Sequence, residues 1–288
     1  MWAFNPFDKS KKLHKTGKIL LKYLSGSDDQ VKIVYIASNS EVNLATAFDI
    51  PLKERYIDYP KKIIKKELLK MGLKKYEIVI ISYMGLSLSY TVNLLSQFAQ
   101  KSKVDLVLLA SNGKKFLPRL VLGSFAETYI HVSTVDILVY HQETKVEFNS
   151  PLNILYAHDY SDKGNDGFLR VIKYVKKWNS TLTLVHVVRP EFNMINSSDK
   201  RIIAYRKDIL DQSRKIEKTL SDQEINARIY LETNSDEISS VILKVAKKIK
   251  ADVIGLTAFS GKMRALLGGS VTRKILRESN LPILIIKV

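Results

Sequence analysis

Apolar residues in this chain fall into two alternating kinds of segment. Segments such as Thr181–Val188 (TLTLVHVV) and Glu77–Tyr83 are short, almost continuously apolar and rich in β-branched residues. That pattern predicts strands buried on both faces. Segments such as Asp236–Ile249 are longer and charged, with Ile238, Val241, Ile242, Val245 and Ile249 at helical spacing. That pattern predicts amphipathic helices with one face on a core. The two kinds alternate along the chain, which predicts parallel, doubly wound α/β sheets with helices on both faces.

The alternation occurs twice. Asp105–Tyr140 and Asp252–Ile286 share one order: an apolar strand after an Asp, a glycine-bearing loop, Gly-Ser, an amphipathic helix and a second β-branched strand. Gly123 to Asp136 and Gly269 to Pro282 are equal intervals. Two copies of one unit are therefore expected, each carrying a five-stranded sheet, over 1–144 and 151–288, with a short polar linker at Glu143–Ser150.

In the first copy the strands are expected at Trp2–Phe4, Val31–Ala37 and Glu77–Tyr83, before the Asp105 strand. Its helices are expected at Lys9–Leu24, Pro60–Met71 and Tyr90–Gln100. Residues 38–58 carry no regular period. In the second copy, strands are expected at Asn153–His158, Thr181–Val188 and Ala227–Leu231. Helices are expected at Gly167–Lys177, at Asp199–Leu220 with Ser197 or Ser198 as cap, and at Asp236–Ile249.

In such sheets ligands bind outside the carboxyl ends of the strands, at the switch point. The loops after strands 1, 2 and 4 of each copy are therefore the candidate sites. After strand 4 the first copy reads Ala110-x2-Gly113-x9-Gly123-Ser124, with Lys114, Lys115 and Arg119 inside the loop. The second reads Thr257-x2-Ser260-x8-Gly269-Ser270, one residue shorter, with Gly261 beside Ser260. Glycines let the backbone approach phosphate oxygens. Consecutive N–H groups form an anion-binding nest, and the helix opened by Gly-Ser favours phosphate at its N-terminus. Strand 1 ends at Asn5 in the first copy and at Asp159 in the second. Both offer acceptor oxygens to nucleotide donors; only Asp159 adds charge.

Composition narrows the classes. With 45% hydrophobic residues the chain has ample core material, so disorder is excluded as the main state. Cysteine is absent, which excludes disulfides, thiolate metal sites and cysteine nucleophiles, and fits a reducing compartment. The net charge is +17, but 22 basic and 14 acidic residues precede residue 151 and 24 and 15 follow it. A nucleic-acid arm would be lopsided. Lysines such as Lys61, Lys62, Lys65, Lys66 and Lys70 read as a solvated helix face, with attraction for anionic partners as the alternative. Aromatic residues are scattered, so nucleic acid is not an expected partner. No segment approaches the ~20 apolar residues of a membrane span, and no signal peptide is visible. No membrane association is expected, and the cytoplasm is the expected location.

Other chemistry is poorly represented. Gly255 and Gly261 are separated by five residues, and Met263 stands where a P-loop needs Ser or Thr. A dinucleotide fingerprint and a nucleophile elbow are both missing. His158 and His186 fall on adjacent strands. With Asp159 they could reach a metal, but strand-end histidines usually have backbone partners, so no metal site is assigned. No residue stands out as a catalytic base or metal-held water, and no catalytic residue is assigned.

Both copies resemble universal stress protein domains, of the adenine-nucleotide α-hydrolase-like group. That family carries Gly-x2-Gly-x9-Gly-(Ser/Thr) after strand 4 and an Asp ending strand 1. The first copy departs at Ala110 and Asn5, the second in the shortened loop. The resemblance implies adenine-nucleotide (ATP) binding and a role in stress response. The implied site residues are Asn5, Ala110, Gly113, Lys114, Gly123 and Ser124 in the first copy, and Asp159, Thr257, Gly261, Gly269 and Ser270 in the second. It also implies an intramolecular pseudo-dimer of the two domains through their last strands, and leaves homodimerisation open. The alternatives are a scaffold or regulatory module with degenerate sites, and a slow ATPase.

Overall fold

The computed structural model describes residues 1–8, 10–38, 57–73, 75–83, 87–111, 123–146, 148, 151–188, 199–233, 236–258 and 270–288. The chain divides into two compact units, Met1–Val146 and Glu147–Val288. The first contains β1 (Trp2–Ala3), α1 (Lys11–Leu24), β2 (Lys32–Ser38), α2 (Tyr59–Lys70), β3 (Glu77–Tyr83), α3 (Leu88–Lys101), β4 (Leu106–Ala110), α4 (Ser124–Val132) and β5 (Asp136–Tyr140). The second contains β6 (Asn153–Ala157), α5 (Asp162–Lys177), β7 (Thr181–Val188), α6 (Lys200–Asp222), β8 (Ala227–Thr233), α7 (Ile238–Lys248), β9 (Val253–Ala258), α8 (Ser270–Glu278) and β10 (Ile283–Lys287).

Within the first unit the strand order is β3-β2-β1-β4-β5, and within the second β8-β7-β6-β9-β10, all parallel. The chain first moves one way from the central strand and then returns to the other side. Right-handed crossovers therefore place the first two helices of each unit on one sheet face and the next two on the other. The direction reverses between β1 and β4, and between β6 and β9, opening a crevice at their carboxyl ends.

Local sequence explains most elements. Ser10 caps α1 by accepting from the Leu13 N–H at 3.3 Å, and Leu13, Thr16, Gly17, Leu20, Leu21 and Leu24 form its buried face. Ser87 caps α3 in the same way through Tyr90. All five positions of β5 and of β10 are buried, the apolar runs as strands in a two-sided layer require, and Asp136 and Lys287 with them.

Two expectations are corrected. Helix α5 begins at Asp162 behind an Ser161 cap, not at Gly167. Gly167 is there for packing: a Cβ would overlap the Thr257 and Tyr156 hydroxyls. Helix α6 is capped by Asp199, whose carboxylate accepts from the Arg201 N–H at 2.8 Å; Ser197 and Ser198 lie outside the described residues.

The register makes the repeat explicit. Trp2 sits opposite Leu108 and Ile33, as Tyr156 sits opposite Gly255 and Leu184. Counting on, Asn5 matches Asp159 and Ala110 matches Thr257.

Candidate functional site

At the crevice of the first unit lies a cavity of about 440 Å³. It brings together Asn5, Ala110, Gly123 and Ser124, four of the residues expected to form a site. Gly113 and Lys114, with Lys115 and Arg119, lie outside the described residues.

The cavity has an apolar and a polar part. Phe4, Leu13, Val34, Ile36, Leu88, Leu95 and Leu109 supply apolar walls. Trp2 forms part of the lining and is held by an indole N–H donated to the Tyr140 hydroxyl at 3.0 Å. Its ring also meets Phe4 edge-on at 4.7 Å. Gly17 permits this arrangement, because a Cβ there would overlap the Trp2 ring and the Tyr140 hydroxyl. Burial raises the Tyr140 pKa, with Asp8 as a smaller contributor in the same direction, so the hydroxyl stays protonated.

The polar part is the N-terminus of α4. Gly123, Ser124, Phe125 and Ala126 all line the cavity, and no side chain caps this terminus. The first N–H groups of a helix lack intrahelical acceptors, so this end attracts anions. The Gly123 N–H is already engaged, donating to the buried Ser111 hydroxyl at 3.2 Å. Ser111 in turn donates its own N–H to the Tyr140 carbonyl at 2.7 Å. This pair anchors the start of α4 to β4 and β5.

Sequence reasoning missed Asp8 and Ser111. Asn5 leaves strand 1 without a carboxylate, yet Asp8 also lines the cavity. Asn5 Oδ1 accepts from the Phe7 N–H at 3.0 Å, and Asp8 Oδ1 accepts from the Ser10 N–H at 2.8 Å. These turns bring the carboxylate back three residues later. The missed signal was the Asp of NPFD, displaced from its usual position.

In the second unit the matching residues are engaged internally. The exposed Asp159 accepts from the Ser161 N–H at 3.0 Å and the Ser161 hydroxyl at 2.7 Å. A Cβ at Gly164 would overlap this carboxylate, so Asp159 lies over the first turn of α5. The Thr257 hydroxyl is hydrogen-bonded to that of Tyr156. Ser270 opens α8; Ser260, Gly261 and Gly269 lie outside the described residues.

The two histidines have backbone partners. His158 Nδ1 accepts from the Tyr160 N–H at 3.0 Å, and His186 Nδ1 meets the His158 carbonyl at 2.8 Å. Burial pushes the His158 pKa down to about 4, partly offset by Asp159, and lowers that of His186. Among the described residues no group of three His, Cys, Asp or Glu is arranged to hold a metal, and no helix is long and apolar enough to cross a membrane.

The fold and its crevice define a tandem α/β protein with one parallel five-stranded domain per unit. The sequence profile of the universal stress protein family matches residues 6–141 and again 152–287. The chain belongs to that family, as a tandem of two such domains. Three solved structures share its fold at low identity. A universal stress protein from Archaeoglobus fulgidus DSM 4304 is 17% identical, with a TM-score of 0.68, over 97% of this chain and 96% of that one. A functionally unknown protein from Pseudomonas aeruginosa PAO1 is 11% identical, with a TM-score of 0.65, over 99% and 90%. A putative universal stress protein from Pseudomonas aeruginosa UCBPP-PA14 is 13% identical, with a TM-score of 0.62, over 95% and 87%. Among curated proteins, no sequence matches.

Proposed function

We propose that the first unit binds one adenine nucleotide, ATP or AMP, as a ligand-sensing element of a stress response in the cytoplasm. The observation that carries this reading is the cavity lined by Asn5, Ala110, Gly123 and Ser124. Its apolar walls suit a purine, and the uncapped start of α4 suits phosphate. No reaction is assigned to the site, whose role is binding.

The test is calorimetric titration of nucleotide-stripped protein with ATP, alongside analysis of heat-released supernatant for bound nucleotide. Ala110→Leu places bulk at the cavity wall and is expected to weaken ATP binding at least tenfold while the far-UV circular dichroism is retained. Unchanged affinity in that variant would move the site elsewhere. A second reading concerns the second unit. Because Asp159 and Thr257 are spent on internal hydrogen bonds, that unit acts as a scaffold or regulatory module.

A further inference from the structure

The second unit contains another cavity, of about 420 Å³, away from the crevice residues. It lies where β7 and β8 begin and α7 ends. Its lining includes Thr183, Arg228, Tyr230, Lys248 and Lys250, and every charged residue in it is a cation. Thr183 and Arg228 are partners in the parallel register, so their side chains leave the sheet on one face. Tyr230, two residues after Arg228, shares that face, and the Lys248 ammonium stands 5.8 Å from its ring centre.

The internal repeat shows what is unusual here. The register that matches Trp2 to Tyr156 matches Lys32 to Thr183 and Glu77 to Arg228. In the first unit Lys32 and Glu77 form an ion pair, and the charge is closed. In the second unit an arginine stands where the acid stood, and a threonine where the lysine stood. Arg228, Lys248 and Lys250 have no acidic partner among the described residues. Thr183 is only 5% exposed, and it lines the cavity beside Arg228. Helix α7 points its C-terminal carbonyls this way, but Asn153 Nδ2 already donates to that of Ile249 at 2.8 Å.

We propose that this cavity is a second ligand site, for a compact phosphate-bearing anion such as a polyphosphate or phosphate ester. A guanidinium can grip a phosphate through two parallel N–H groups. The two lysines neutralise the remaining charge, and the Thr183 hydroxyl donates to a phosphate oxygen. The volume falls within the roughly 300–1,000 Å³ of small-ligand sites.

The probe is inorganic pyrophosphate, titrated calorimetrically into the full-length chain carrying Ala110→Leu, so that the first-unit cavity does not compete. One pyrophosphate is expected per chain. Adding Arg228→Glu, at an exposed position, should weaken it at least tenfold. Adding Thr183→Val, which keeps the shape and removes the hydroxyl, should weaken it severalfold with unchanged thermal unfolding. No pyrophosphate binding, or unaltered affinity in both variants, would overturn the proposal. So would binding of an RNA oligonucleotide through Arg228 without any binding of pyrophosphate. Failure of ATP to bind the unmodified first unit, with pyrophosphate still held through Arg228, would refute the nucleotide reading and leave this one intact.

Discussion

The Trp2 indole N–H donates to the Tyr140 hydroxyl at 3.0 Å, joining residues 138 positions apart. Both side chains are buried, at 0% and 1% exposure. The bond ties the first strand of the unit to its last beneath the candidate site. Tyr140→Phe keeps the packing but leaves a buried N–H unsatisfied, at a cost of about 1–3 kcal/mol. Urea unfolding followed by tryptophan fluorescence should show this loss. A Trp2→Phe, Tyr140→Phe double variant should show strong non-additivity in a double-mutant cycle, since its second change finds the bond already gone.

Gly17→Ala and Gly167→Ala should each destabilise by about 1–3 kcal/mol, through overpacking rather than helix propensity. At each position a Cβ would overlap side chains that are themselves hydrogen-bonded. Gly26→Ala provides the control, because the nearest atom to its Cβ would be 3.8 Å away. Equal midpoints for all three in chemical denaturation would refute the packing argument.

Acid should weaken the second unit ahead of general acid unfolding. His158 is held neutral in the fold, its pKa pushed down to about 4 from the ordinary 6.5 by burial. The unfolded chain therefore binds a proton more readily. Stability should be complete above about pH 6.5 and fall as the pH drops from there toward 4, by at most about 3 kcal/mol for this group. His186 acts in the same direction. His158→Gln should flatten the stability profile between pH 6.5 and 4; an unchanged slope would assign the acid sensitivity to other groups.

Nucleotide stoichiometry should be one per chain. Asp8 already places a carboxylate in the cavity wall, so Asn5→Asp would add a second negative charge to the same cavity. Its ATP affinity should fall severalfold in EDTA and recover with magnesium, while the wild type should change little between the two. Two nucleotides per chain, or no difference between Asn5→Asp and wild type in EDTA, would contradict this charge argument.

Much of this protein is written locally. The apolar runs of β5 and β10, the helical spacing of Leu13, Leu20 and Leu24, and the Gly123-Ser124 start of α4 follow from period and propensity within a dozen residues. So do the repeat and, through the topology it imposes, the crevice. What the sequence alone left undetermined involves partners far apart along the chain or the geometry of a turn. Asp8 re-enters the cavity because the Asn5 and Asp8 side chains cap successive N–H groups. Thr257 leaves the candidate site because Tyr156, 101 residues earlier, takes its hydroxyl. Arg228 stands without an acidic partner among the described residues because the parallel register sets Thr183, not an acid, beside it. Period and propensity report which face a residue occupies. Which oxygen or charge meets it there depends on strand register and on close approach between elements, and those are settled only when the sheet assembles.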